Sequence, residues 1–229
     1  MSTPNTVPAS PAVEDYAKAI YSLARPDEGG GGEVTTGALA DRMAVTPGSA
    51  SAMVKKLVGL GLATREPYKG VRLTERGERL ALEVLRHHRL LELYLVESLG
   101  VPWDRVHDEA EVLEHVLSEE LEELIAEKLG HPTHDPHGDP IPTPELELPE
   151  SDAEPLSSLP PGARGTFVRV FDSDPEMLRY LGERGIATGA RVEVLSREPF
   201  DGPVVVRFGD RIHALGRPLA RVMRVEVDR

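Results

Sequence analysis

The sequence predicts a mainly α protein with a small β part: an amino-terminal winged helix-turn-helix, a helical middle and a carboxy-terminal β-barrel. Three observations lead there. Apolar residues recur at helical spacing through most of the first 129 residues. After residue 156 they alternate with polar ones at strand spacing. Between the two lies HPTHDPHGDPIPTPELELPESDAEP, residues 131–155, too dense in Pro and acid for regular structure.

Composition narrows the class. The 229 residues contain no Cys, which excludes disulfides, iron–sulfur clusters and thiolate zinc sites. The start, MSTPNTVPASP, is polar and Pro-rich, and no run of 18 apolar residues follows. Residues 1–12 are therefore expected to be a disordered tail, and the protein to be cytoplasmic and independent of membranes. The net charge is −13, which by itself argues against a nucleic-acid partner. Its distribution reverses that reading. Residues 1–80 carry 10 Lys/Arg against 9 Asp/Glu, residues 81–155 carry 4 against 20, and residues 156–229 carry 12 against 10. Nearly all the negative charge sits in the middle.

Residues 13–80 predict the winged helix-turn-helix. In TTGALADRMAVTPGSASAMVKKLVGLGLATR, residues 35–65, Ala38, Leu39, Met43 and Val45 fit one helix and a turn. Thr46 is a candidate N-cap and Pro47 stands at the first helical position of the next helix, whose apolar face is Ala50, Met53, Val54 and Leu57. Its other face offers Ser49, Ser51, Lys55 and Lys56, hydroxyls at the start and lysines at the end. That pattern suits a recognition helix, with Ser49 and Ser51 near bases and the lysines on phosphates. Ala63–Glu66 and Val71–Thr74 can pair as a hairpin whose tip carries Lys69, with Arg65 and Arg72 beside it. Thr74 caps the next helix. A basic wing of this kind suits the phosphate backbone of double-stranded DNA. One such module is small, so two copies on a two-fold, palindromic operator are implied, and with them a homodimer.

Residues 81–142 predict a helical domain with a metal site. HDEAEVLEH, residues 107–115, puts two His and four acids into nine residues. His107, Glu111, Glu114 and His115 fall at offsets 0, 4, 7 and 8, one helical stripe with Asp108 beside it. Like charges so placed destabilise a helix by a few tenths of a kcal/mol per pair, unless a cation neutralises them. His88 and Glu92 stand at i, i+4 on another helix, and Glu14-Asp15-Tyr16 opens the first one. Oxygen and imidazole donors without sulfur favour Mn²⁺, Fe²⁺, Co²⁺ or Zn²⁺. The apolar residues interleaved with the ligands, Ala110, Val112, Leu113 and Val116, imply that part of the acid face is packed near something. Glu119–Glu123 reads as a solvated face. Glu111–His115 departs from the H-x-x-E-H metalloprotease pattern, with Glu in place of the first His, so no enzyme activity is expected. His131, His134 and His137 read as residues of a solvated loop, with a weak extra metal site as the alternative, and His213 reads as a barrel surface residue. Residues 143–155 form the acidic, Pro-rich linker.

Residues 156–229 predict the barrel. RGTFVRVF, ARVEVLSRE, PVVVRFG and ARVMRVEV alternate, and DPEMLRYLGERG is a short helix with Asp174 as N-cap.

At this point a resemblance becomes specific. EDYAKAIY (14–21), HHRLLE (87–92), VHDEAEVLEH (106–115) and DPHGDPIP (135–142) resemble the diphtheria-toxin-repressor family of iron- and manganese-dependent transcription regulators. The order of the segments is similar too, and the barrel would then be SH3-like and the middle helices would serve dimerisation. The resemblance implies two metal sites per subunit: a primary one of Asp15, Glu111, Glu114 and His115, and an ancillary one of His88, Glu92 and His107. Barrel oxygens would complete the second, and Asp174 and Glu176 are the expected donors. Iron-responsive members hold Met and Cys where this chain has Asp15 and Glu111. Two carboxylates there imply Mn²⁺, with Fe²⁺ as the alternative. Short manganese regulators lack a barrel and carry Glu where this chain has Lys18, so their two-metal cluster is not expected. The implied function is a metal-activated repressor of metal-homeostasis genes. A metal-buffering or metal-delivery protein whose helix-turn-helix is only a scaffold is the rival.

Overall fold

The computed structural model describes residues 9–25, 34–66, 70–149, 151–171 and 174–228. The chain divides into two compact units. One runs to His87 and takes in Pro142–Glu147; the other comprises His88–Ile141 and the chain from Leu148 onward.

In the first unit, α1 (Pro11–Ala24) begins with Pro at its first turn, inside the stretch assigned to the tail. α2 (Thr36–Arg42) is capped by Thr35, whose hydroxyl accepts the Ala38 N–H. α3 (Pro47–Gly59) is capped by Thr46, which accepts the Ser49 N–H at 3.2 Å. Each cap satisfies a backbone donor that the first helical turn leaves open. Ile20, Leu39, Ala50, Val54, Leu57, Leu62 and Val71 close one apolar core beneath these helices. β1 (Ala63–Glu66) and β2 (Gly70–Leu73) pair antiparallel, Ala63 opposite Leu73. The hairpin tip lies outside the described residues. Thr74 then accepts the Gly77 N–H and starts α4 (Glu75–Leu99). Gly77 has no substitute: a Cβ there would lie 1.9 Å from the Leu62 carbonyl oxygen.

In the second unit, the end of α4 packs with α5 (Val106–Leu113) and α6 (Glu119–Lys128) around Leu90, Ala110, Ile125 and Ile141. The segment after α6 is irregular, and only its start is the solvated loop expected: His131 and His134 are exposed. Asp135, His137 and Asp139 are buried, and His134 bridges to Pro140. The Asp135 carboxylate accepts the N–H groups of His137 and Asp139, which folds the turn on itself. Gly138, at φ +87°, lies so close to the next segment that a Cβ would sit 1.8 Å from the Val168 carbonyl oxygen. The Pro-rich composition predicted the irregular backbone but not the burial of Asp135, His137 and Asp139.

The remaining strands are β3 (Glu154–Pro155), β4 (Arg164–Val170), β5 (Arg191–Arg197), β6 (Val204–Phe208), β7 (Arg211–Leu215) and β8 (Met223–Val227). They form a six-stranded sheet in the order β3-β8-β4-β5-β6-β7. Alternate residues, among them Phe167, Val192, Val194, Val206, Met223 and Val225, fill its interior. α7 (Pro175–Glu183) adds Leu178 and Leu181, and α8 (Arg217–Val222) adds Leu219 and Ala220. His213 is half-buried against Phe208 rather than a plain surface residue. Among the described residues no helix is long and apolar enough to cross a membrane.

Candidate metal centre

α4 carries His88 and Glu92 one turn apart, both buried on the face toward α5. α5 carries His107 and Glu111 one turn apart, and Glu114 follows at its C-terminal end. The helix stops at Leu113, so His115 lies beyond it, and the stripe of four ligands on one helix is shorter than the spacing predicts.

His88 is the hub. Its Nδ1 lies 2.5 Å from Glu114 Oε2 and 3.8 Å from Glu111 Oε1. Its Nε2 lies 3.0 Å from Glu92 Oε1 and 3.1 Å from His107 Nδ1, and those two atoms are 3.3 Å apart. Three ligand atoms at mutual distances of 3.0–3.3 Å form a triangle. Donors held at roughly 2.0–2.2 Å from one ion are spaced about that far apart. A neutral imidazole has one donor and His88 faces carboxylates from both nitrogens, so either its protonated form or a cation among the ligand atoms is needed to serve both. His115 Nε2 lies 3.6 Å from Glu114 Oε1.

Within this unit His88 groups with Glu92 and His107, the set expected for the ancillary site, and also with Glu111 and Glu114. Asp15 belongs to the other unit, on α1. Asp174 and Glu176 join no ligand group among the described residues. The Asp174 carboxylate instead accepts the N–H groups of Glu176 and Met177 as the cap of α7.

A further group lies deeper, of Glu92, Asp135 and His137. His137 is fully buried, stacks on Trp103 and meets the Trp103 carbonyl oxygen with Nε2 at 2.8 Å. Sequence reasoning missed Asp135 and set His137 in a solvated loop ahead of a weak metal site, because their Pro-rich setting reads as solvent-exposed. The only signal was the DPHGDPIP motif itself. Burial works to raise the pKa of Glu92, but the attraction of His88, and then of His107 and His137, outweighs it, so the carboxyl stays well below its ordinary range. Asp135 goes the other way. Burial drives it well above the ordinary value, and repulsion from Asp139 and Glu92 adds to that. Arg89 and Arg169 pair with Asp139, Arg89 at 3.5 Å.

The face expected to meet DNA is a different environment. Thr46, Pro47, Ser49, Lys55, Lys56 and Arg72 are exposed, and Ser51 is half-buried. The Thr46 hydroxyl, besides capping α3, lies 2.9 Å from the Ser49 hydroxyl. Lys69 lies outside the described residues. Ala110 and Glu114 are buried, so part of the acid face is packed as expected, while Val112, Leu113 and Val116 are exposed, Val116 at 77%. Leu99, Leu121 and Leu124 of the same unit are exposed as well.

Comparison with known proteins covers nearly all of the chain. Residues 9–71 match the iron dependent repressor N-terminal DNA binding domain. Residues 74–143 match the iron dependent repressor metal binding and dimerisation domain, and residues 154–227 match the FeoA domain. The iron-dependent repressor IdeR of Mycobacterium tuberculosis is 31% identical over 225 residues, covering 93% of this chain and 96% of its own. The diphtheria toxin repressor of Corynebacterium diphtheriae is 29% identical over 223 residues, covering 93% and 96%. A solved manganese-dependent transcriptional repressor in complex with manganese is 41% identical, with a TM-score of 0.87, and covers 94% of this chain and 100% of its own. The manganese regulator SloR is 28% identical with a TM-score of 0.77, covering 96% and 100%.

Proposed function

Because this chain belongs to the iron-dependent repressor family, of metal-dependent transcriptional repressors that bind DNA and are not enzymes, we propose that it is a Mn²⁺-activated, homodimeric repressor of metal-homeostasis genes, with Fe²⁺ as the alternative ion. The observation that carries the proposal is the triangle of His88 Nε2, Glu92 Oε1 and His107 Nδ1. The donors are nitrogen and oxygen without sulfur, which suits Mn²⁺ or Fe²⁺. Two carboxylates where iron-responsive relatives carry Met and Cys favour Mn²⁺.

His88, Glu92 and His107 would hold one ion. Glu111, Glu114 and His115, with Asp15 from α1, would hold another. The ion supplies the positive charge that lets these carboxylates share one volume. Without it Glu111 and Glu114 repel, and the unit carrying α3 is free to leave the orientation that DNA requires. With it, the two α3 helices of a dimer take up the spacing of two half-sites on a palindromic operator. Lys55, Lys56, Lys69 and Arg72 would contact phosphates, and Thr46, Pro47, Ser49 and Ser51 would place the start of α3 against the groove. The exposed apolar side chains of Leu99, Val112, Val116, Leu121 and Leu124 supply the surface for the second subunit. A repressor that acts on DNA in this way works in the cytoplasm.

An ion that prefers the ordered state 100-fold shifts that equilibrium by about 2.7 kcal/mol. The test is fluorescence anisotropy of a labelled duplex from the gene's own upstream region. Binding is expected with Mn²⁺ and loss of at least 100-fold in affinity with chelator. Equal binding in both would remove the switch. Metal uptake without DNA binding under any ion would make the protein a metal buffer.

A further inference from the structure

We propose that Glu92, Asp135 and His137 form a further cation site in each subunit, joined to the His88–Glu92–His107 site through the two oxygens of Glu92. Its ligand is a divalent first-row ion such as Mn²⁺ or Fe²⁺. The site goes beyond the two expected from the family resemblance, and it uses residues from the DPHGDPIP segment that the metal switch leaves without a role.

Three observations support it. First, one ligand atom from each of the three residues lies within 4.8 Å of the others. His137 Nδ1 and Glu92 Oε2 are 3.7 Å apart, too far for a hydrogen bond and right for two donors on one ion. Second, Glu92 Oε2 is buried with no hydrogen-bond partner, while Oε1 is engaged by His88 and His107. A fully buried carboxylate oxygen left in this state is costly unless a cation meets it. Third, the His137 ring is oriented from its far side. Nε2 lies 2.8 Å from the Trp103 carbonyl oxygen, which can only accept. A proton therefore sits on Nε2, and in the neutral ring, the form that binds a metal, Nδ1 turns its lone pair toward Glu92 and Asp135. A backbone carbonyl behind a metal-binding imidazole fixes its tautomer in this way.

The nearby guanidinium groups do not replace the ion. Arg169 pairs with Asp139, and Arg89 reaches Asp139 at 3.5 Å and Asp135 only at 3.9 Å. Glu92 and Asp135 thus repel one another in the interior, which a divalent ion between them reverses. A carboxylate that bridges two ions holds them roughly 3.5–4 Å apart, close enough for magnetic coupling between two Mn²⁺.

The experiment measures Mn²⁺ bound per subunit in the full-length protein after equilibrium dialysis, for the native chain and for Asp135→Asn. Asn keeps an oxygen for the His137 and Asp139 N–H groups and removes the charge. The native chain is expected to bind one Mn²⁺ more than the variant, and to give an exchange-broadened electron paramagnetic resonance signal that Asp135→Asn lacks. Equal, non-zero counts in both would overturn this site and leave the metal switch standing; no uptake by either would overturn both readings. A measurement that needs no variant uses crystals of the native protein grown with Mn²⁺. Anomalous density among Glu92, Asp135 and His137 supports the site, and its absence beside an occupied His88–His107 site overturns it.

Discussion

In the unit that carries α3, Lys55, Lys56 and Arg72 are exposed, and Leu39, Val54 and Leu57 belong to an apolar core. In the unit that carries α5, His88, Arg89, Glu92, Glu114, Asp135, His137 and Asp139 are all buried. The difference separates two ways of using charge. Exposed lysines cost nothing to keep charged and act at a distance on a polyanion, in proportion to their number. Buried carboxylates are expensive unless paired, so they act through whatever ion completes them. The first unit is built to read a surface, and the second to respond to one small ligand.

Substitutions can break or sharpen this contrast. The largest effect is expected from Leu57→Ala, in the apolar core below α3. Loss of a fully buried Leu should cost about 2–5 kcal/mol in denaturant unfolding of that unit, with Mn²⁺ uptake by the second unit unchanged. Simultaneous loss of uptake would show that the two units unfold together. Next comes Glu114→Gln, which keeps the shape of a side chain 2.5 Å from His88 but removes its charge. Operator affinity in Mn²⁺ should fall at least tenfold, about 1.4 kcal/mol, with the circular dichroism spectrum unchanged. An unaltered affinity would detach this carboxylate from the switch.

Thr46→Ala removes the cap of α3 and should lower the stability of the first unit by about 1 kcal/mol, read as a shift in its melting temperature. The smallest effect on stability belongs to Lys55→Ala with Lys56→Ala, since both side chains are exposed. Their signature is electrostatic. The slope of log affinity against log salt should fall by about 2, one for each phosphate that no longer meets a lysine. A slope that stays constant would place DNA on another face.

The two units were also unequally legible in the sequence. Thr46-Pro47, the apolar face of α3, the hairpin and the Thr74 cap could be read because local rules govern them: caps, fixed Pro geometry and strand alternation. His88–Glu92 and His107–Glu111 were legible for the same reason, being one turn apart on helices. The side chains that meet across segments were not. Asp135 and His137 sit among prolines, and composition assigned them to solvent, whereas Gly138 and the Asp135 turn fold that segment against Val168. Val112, Leu113 and Val116 went the opposite way. Their interleaving with the ligands implied that part of the acid face is packed, and Ala110 and Glu114 are, but these three face outward, as a surface for a second copy would. Asp174 and Glu176 were chosen from their place at a helix start, and capping is what Asp174 does there.

The most direct measurement of the coupling between ion and DNA is the Mn²⁺ affinity of the protein with and without saturating operator duplex. Linkage is reciprocal, so an ion that strengthens DNA binding 100-fold must itself be held 100-fold more tightly in the presence of DNA. A leftward shift of the Mn²⁺ titration by about two decades is the expected result. Superimposed titrations would contradict a cation-controlled repressor and leave the buried histidines and carboxylates with a purely structural role.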